Sequence, residues 1–138
     1  MIGIIGAMPS ELKDIQGVQV NPVTTEIAGQ CGHSISPDDG SMSDATRKSV
    51  NGSTLNALKD MQTTIDTLNK LELGTNQHYF TGHGLLRGKV LGTKSKYADS
   101  DEIEQMQKIL ESEVRAGSAG ISTGLSYVPG IYSDTKEL

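Results

Sequence analysis

The chain has 138 residues, of which 35% are hydrophobic and 4% aromatic, with no Trp and one Phe. It is the size of one modest domain with a small, aliphatic core, so we expect a single α/β domain over residues 1–138. The net charge is −5, from 17 acidic and 12 basic residues, without a run of Lys and Arg. This charge pattern argues against nucleic acid as a partner.

The single cysteine, Cys31, excludes an intrachain disulfide framework. No charged segment precedes the short apolar run of residues 1–8, and no apolar run approaches the roughly 20 residues that cross a bilayer. We therefore expect a cytoplasmic protein that does not use a membrane as a partner.

Two strands and a loop are predicted in the first third of the chain. Residues 2–7 form a short run rich in Ile and Gly, and residues 23–28 form a run rich in β-branched side chains. Both runs predict strands. Residues 32–52 are dominated by Ser, Asp, Gly and Pro, which predicts irregular backbone.

A helix, a strand and a second loop follow. Apolar residues recur every three or four positions between Leu55 and Leu68, which predicts an amphipathic helix over residues 53–71. Residues 77–81 predict a third strand. The Gly-, Lys- and Ser-rich residues from there to Asp99 predict a loop, whose length suggests a functional role.

The last helix is predicted from Asp99 and Ser100 to Gly117. Apolar side chains follow one face of this helix, namely Ile103, Met106, Ile109, Leu110 and Val114. Residues 119–123 predict a fourth strand.

Strands that alternate with helices predict an α/β fold, in which a parallel sheet is covered by helices. In such sheets, chemistry is found at the carboxyl ends of the strands. Here these ends are residues 29–32, 82–87 and 123–127, and glycines flank all three, as expected where the backbone turns sharply or approaches a ligand.

The last residues carry a helix start signal. Asp134 is followed three residues later by Glu137, a spacing typical of a helix N-terminus, and the sequence ends at Leu138. We therefore expect the chain to be a truncated piece of a longer protein.

Three segments together resemble the N-acyl-D-amino-acid deacylases, or D-aminoacylases, of the amidohydrolase superfamily. They are residues 23–37 (VTTEIAGQCGHSISP), residues 81–92 (TGHGLLRGKVLG) and residues 115–138 (RAGSAGISTGLSYVPGIYSDTKEL). The resemblance implies a partial (β/α)₈ barrel of the TIM type, to which this chain supplies about four strands. It also implies a metal-dependent hydrolase that uses zinc to cleave the amide bond of N-acyl-D-amino acids, which are its small-molecule partners.

The resemblance assigns a zinc ligand to Cys31, in the GxCG strand end of the family. A thiolate is a good zinc ligand, whereas without the motif a lone cysteine is better explained as a small buried hydrophobe. The family's other metal ligands have no counterpart in this chain. We therefore expect zinc in the full-length family, weak zinc binding or none in this chain, and no activity of the chain alone.

Four further residues lie at the strand ends. Tyr127 matches the tyrosine of the family's TGLxY segment and would contact substrate, or would be a half-buried aromatic at the barrel rim. Arg87 would bind the substrate carboxylate, or would face solvent. His83 would support a residue that touches the metal or substrate, or would only bond a backbone carbonyl. His33 replaces an apolar residue of the family, which makes an adventitious metal site with Cys31 conceivable.

Two other functions are compatible with the sequence. The chain could be a non-catalytic α/β module, or a degenerate fragment, that associates with itself or a partner chain through exposed sheet edges. Alternatively, the chain could be a nucleotide-binding domain, because Gly3 and Gly6 faintly resemble a phosphate-binding turn. Residues 1–8 (MIGIIGAM) are also similar to the opening of methylthioadenosine/adenosylhomocysteine nucleosidases.

Overall fold

The computed structural model describes residues 24–38, 58–70 and 75–138. The elements, in chain order, are strand β1 (Thr25–Ala28), helix α1 (Met61–Leu68), strands β2 (Asn76–Tyr79) and β3 (Thr81–Gly82), helices α2 (His83–Leu91) and α3 (Ser100–Ala116), strand β4 (Ile121–Ser122) and a 3₁₀ helix (Gly130–Tyr132). This order confirms the α/β class. In these described ranges, none of the helices combines the length and apolarity that a membrane span requires.

The strands pair in parallel, β1 with β2 and β3 with β4. Phe80 connects the two pairs, because its amide donates to the Ala28 carbonyl at 2.9 Å and the next amide, of Thr81, donates to the Gly120 carbonyl at 2.9 Å. Residues 76–82 therefore run between β1 and β4. The predicted parallel arrangement is confirmed for these strands, while the strand predicted at residues 2–7 lies outside the described residues.

Helix α1 starts later than the apolar repeat predicts. Asp60 has an extended backbone, with φ of −155°, and its carboxylate accepts a hydrogen bond from the Thr63 amide at 2.8 Å. Aspartate stabilises a helix more as its N-cap than in its interior, so the helix begins at Met61. Leu58 precedes the cap and is buried outside the helix. Residues 51–57 and 71–74 lie outside the described residues.

The loop predicted between the third strand and Asp99 is wrong, because its first half is helix α2. Glycines at positions 84 and 88 lower its intrinsic helix propensity. Tertiary packing supplies what propensity lacks: Leu86 and Leu91 are buried in one cluster with Met106 of α3. Glycine at position 92, with φ of 65°, then ends the helix.

Helix α3 confirms its prediction. The Asp99 side chain accepts from the Glu102 amide at 3.0 Å and the Glu102 side chain accepts from the Asp99 amide at 2.9 Å, a complete capping box. Gly117, with φ of 118°, ends the helix. The predicted apolar face is less fully buried than expected, since Met106 lies in the core but Val114 is exposed.

Candidate functional site

The loops that follow β1, β3 and β4 meet at one end of the sheet. The Gly84 amide donates to the Gly32 carbonyl at 2.9 Å, and the Gly82 amide donates to Ser34 Oγ at 2.8 Å. On the other side, the Gly32 amide donates to Ser122 Oγ at 3.1 Å. The carboxyl ends of these parallel strands thus lie together.

Glycine is required at this junction, because backbone meets backbone there. A Cβ atom added at Gly124 would lie 2.0 Å from the Cys31 carbonyl oxygen, and one at Gly82 would lie 2.5 Å from the Gly32 carbonyl oxygen. Both distances are far below a van der Waals contact. The glycines that flank the strand ends therefore permit the loops to touch.

Cys31 lies in a tight turn at this junction. The His33 amide donates to the Gln30 carbonyl at 3.2 Å, and φ is 57° at Cys31 and 74° at Gly32, the signs of a type I′ turn. Within the described ranges, Cys31 is the one non-glycine residue with a positive φ. Its side chain is exposed, so it is not the buried hydrophobe of the alternative interpretation.

Tyr127 lies close to the Cys31 turn. Its ring contacts the His33 ring edge-on, with 5.8 Å between centroids and 83° between planes. His33 Nδ1 is 3.1 Å from the Cys31 carbonyl oxygen. Because a carbonyl only accepts hydrogen bonds, Nδ1 is the donor of this bond and carries the proton. The other ring nitrogen, Nε2, takes no part in the bond. The structure thus brings Cys31, His33 and Tyr127 together.

His83 and Arg87, at the start of α2, are buried. Arg87 is fully buried, and its two terminal nitrogens donate to the Glu137 carboxylate and the Lys96 carbonyl. Arg87 therefore does not face solvent, and binding of a substrate carboxylate would require it to leave these partners. His83 Nε2 lies 2.8 Å from Glu137 Oε1. Its bond is thus to a carboxylate and not to a backbone carbonyl.

Glu137 was predicted only as part of a helix start, and its pairing with His83 and Arg87 was not predicted. Its side chain is 1% exposed and also accepts from Ser133 Oγ at 3.1 Å. The predicted helix start is present in part, since the Asp134 carboxylate accepts from the Glu137 amide at 3.0 Å. Nothing in the local sequence indicates this role, because the Arg87 partner of Glu137 lies 50 residues away along the chain.

The described residues do not form a complete metal site. Among residues 24–38, 58–70 and 75–138, no group of three or more His, Cys, Asp or Glu side chains is placed to hold a metal ion. Catalytic zinc sites normally have three protein ligands and an open position. The accessible thiol of Cys31 fits one of those ligands, and the described part of the chain does not supply the set.

The chain is similar to D-aminoacylases in sequence and in structure. It is 28% identical over 116 residues to D-aminoacylase of Alcaligenes xylosoxydans xylosoxydans, which covers 84% of this chain and 24% of that protein. A crystal structure of D-aminoacylase matches with a TM-score of 0.71 and 28% identity, over 83% of this chain. The N-acyl-D-glutamate deacylase of Bordetella bronchiseptica, complexed with zinc and a phosphonate inhibitor, matches with a TM-score of 0.69 and 27% identity.

These comparisons confirm the resemblance indicated by the three sequence motifs. The chain spans about a quarter of the length of the relatives that it matches. One of the matching D-aminoacylases has a binuclear metal centre. No protein-family model matches the chain. The similarity favours a deacylase segment over a non-catalytic module or a nucleotide-binding domain.

Proposed function

We propose that this chain forms one part of a metal-dependent hydrolase that cleaves the amide bond of N-acyl-D-amino acids. The observation that carries the proposal is the contact between the Cys31 turn and the loop of Tyr127, two segments that the deacylase motifs predict at one active-site mouth. The match to deacylases of known structure over 83% of the chain supports it.

For the fold, we propose that the chain contributes to a (β/α)₈ barrel. The parallel strands lie in the order expected of barrel neighbours, with β1 beside residues 76–82 and these beside β4. Helices follow β1 and β3 in the chain, as in βα units. The four strands predicted from the sequence include residues 2–7, outside the described residues.

Three of the strand-end residues keep a proposed role at the site, whereas Arg87, for which binding of the substrate carboxylate was expected, would first have to leave Glu137 and the Lys96 carbonyl. Cys31 would hold zinc through its thiolate, and its positive φ is of the kind that clusters at ligand sites. Tyr127, which is 53% exposed, would contact the substrate. When bound with its full ligand set, zinc would activate water for amide hydrolysis. His83 would act behind the site, through the Glu137 carboxylate.

Cobalt(II) titration of the purified chain tests the role of Cys31. Cobalt is expected to bind weakly, because a single thiolate is available, and to give a thiolate charge-transfer band that Cys31→Ser removes. His33→Asn is the matched control, since it retains the thiol and should retain the band. A stoichiometric zinc that resists chelation would contradict the expected weak binding.

A chimera tests the activity. Replacing the matching quarter of a D-aminoacylase with this chain should give an enzyme that hydrolyses an N-acetyl-D-amino acid, that ignores the L-enantiomer and that Cys31→Ala inactivates. The isolated chain should have no activity. A folded, zinc-loaded chimera without turnover would argue against the proposal, as would turnover that survives Cys31→Ala.

Self-association is proposed from the strand edges. Within the described ranges, β1 pairs only with β2, and β4 only with β3, which leaves the outer edges of β1 and β4 without a strand partner there. Unpaired edges favour assembly with another chain. Light scattering of the isolated chain is expected to show a dimer or larger species, and a monodisperse monomer at high concentration would count against this.

A further inference from the structure

The C-terminal turn carries a buried carboxylate that joins it to α2. Glu137 is 1% exposed and binds Arg87 through one oxygen, while His83 Nε2 and Ser133 Oγ contact the other oxygen at 2.8 and 3.1 Å. Arg87 is fully buried and His83 nearly so. The carboxylate thus connects a turn at the end of the chain with a helix about 50 residues earlier.

This cluster is an electrostatic anchor. A buried guanidinium without a carboxylate partner is strongly unfavourable, whereas hydrogen-bonded pairs are tolerated. Arg87 also donates to the Lys96 carbonyl, and in the described part of the chain its Nε has no partner. Glu137 is therefore the group that compensates its charge, which ties the position of the C-terminal turn to α2.

The same turn is continuous with the loop that carries Tyr127. The Ile131 amide donates to the Tyr127 carbonyl at 2.8 Å, and the Ser133 amide donates to the Gly130 carbonyl at 3.1 Å. A Cβ atom at Gly130 would lie 4.0 Å from His83 Nδ1. The loop is therefore packed against His83 and is linked by short hydrogen-bonded turns to the segment that Glu137 anchors.

We infer that Glu137 is a positioning residue: through Arg87 and His83 it holds the loop of Tyr127 in place against the Cys31 turn. This deepens the proposed function, on which the relevance of Tyr127 to substrate rests. The anchoring by Glu137 depends on neither zinc nor turnover. An experiment can therefore contradict this inference without contradicting the proposed function, and the reverse.

NMR of the full 138-residue chain tests the inference through the ring contact between His33 and Tyr127. Tyr127→Leu defines the His33 ring shifts without that contact. Glu137→Gln, which keeps the shape and removes the charge, is expected to move the His33 shifts toward those values. It should also speed exchange of the Ile131 and Ser133 amides by at least about 10-fold. The shifts of α3 should stay unchanged.

Glu111→Gln is the matched control, because Glu111 pairs with Arg115 on the exposed face of α3. It should leave the His33 shifts at the wild-type values. Unchanged His33 shifts in a folded Glu137→Gln chain would overturn the inference. If that variant does not fold, Ser133→Ala decides: a smaller displacement in the same direction supports the inference, and no displacement overturns it.

Discussion

Glu137 and Glu113 are both buried carboxylates, yet their surroundings differ in kind. Glu137 receives an Arg, a His and a Ser side chain. Glu113, on α3 and 2% exposed, receives the Ser36 hydroxyl at 3.2 Å. Burial raises the pKa of Glu113 above its ordinary value, and the hydrogen bonds from the Met61 amide and Ser36 only partly oppose this shift.

Burial alone therefore does not define the role of a carboxylate. Removing a buried carboxylate that is paired with a cation is strongly destabilising, because the cation then stays buried without a compensating charge. A buried acid with a hydroxyl partner binds its proton more tightly in the folded chain than in the unfolded one. Glu137 holds two distant segments together through an ion pair, whereas Glu113 bonds the distant Ser36 through a hydroxyl and makes the free energy of unfolding depend on pH.

The largest expected effect tests the first half of this comparison. Glu137→Ala leaves Arg87 buried without its carboxylate, and should lower the free energy of unfolding by about 3–5 kcal/mol. Chemical denaturation followed by circular dichroism measures it. Glu111→Ala, on the exposed face of α3, should change little, and equal losses in the two variants would contradict the comparison.

The second prediction concerns the backbone contacts between the strand-end loops. It tests whether their loss lowers the free energy of unfolding about as much as the loss of Glu137. Gly124→Ala places a Cβ atom 2.0 Å from the Cys31 carbonyl oxygen. Because backbone must shift to relieve this overlap, the loss of unfolding free energy should be about 3 kcal/mol. Gly92→Ala is the control: it has a positive φ but no neighbour within 4 Å, so it should cost only about 1–2 kcal/mol. If Gly124→Ala lowers the free energy of unfolding by less than Gly92→Ala does, the strand-end loops can move apart to accommodate the added Cβ atom, and the prediction is wrong.

A carboxylate that caps a helix provides an intermediate case. Hydrogen bonds from the Thr63 side chain and then from the Thr63 amide lower the pKa of the Asp60 carboxyl, and the bond from the amide caps α1. Asp60→Ala should lower the free energy of unfolding by about 1 kcal/mol, while Asp60→Asn should retain most of the cap. Thermal denaturation of the two variants at neutral pH distinguishes them, and equal losses would argue against capping.

The smallest change in the free energy of unfolding is expected for Glu113→Gln. Unlike the other substitutions, it should not lower stability at neutral pH. The folded pKa of Glu113 lies above the ordinary 4.5, so its contribution to stability is complete below that pH and is lost as pH rises through the folded pKa. Glu113→Gln should remove this decline and match or exceed wild-type stability at pH 7. Denaturation between pH 4 and about pH 8 measures it. A larger decline in the variant than in wild type would contradict the raised pKa.

Features that depend on neighbours a few residues apart could be predicted from the amino-acid sequence. Helix α3 has its capping box at Asp99 and Glu102 and its glycine at 117 within the same short stretch, so its limits could be predicted. The parallel pairing of the described strands and the glycines at their ends could also be predicted. In addition, the deacylase motifs placed Cys31 and Tyr127 in segments that the structure brings into one cluster.

Features that depend on partners far away in the chain could not be predicted from the sequence and are seen only in the folded protein. Helix α2 is glycine-containing, and burial of Leu86 against α3 stabilises what its propensity does not. Arg87 has no acidic residue nearby in the sequence, so its pairing with Glu137 is apparent only in the folded structure. Local hydrogen bonds and periodicity are encoded over a few residues, whereas the energy of a buried ion pair belongs to an environment that exists only after folding.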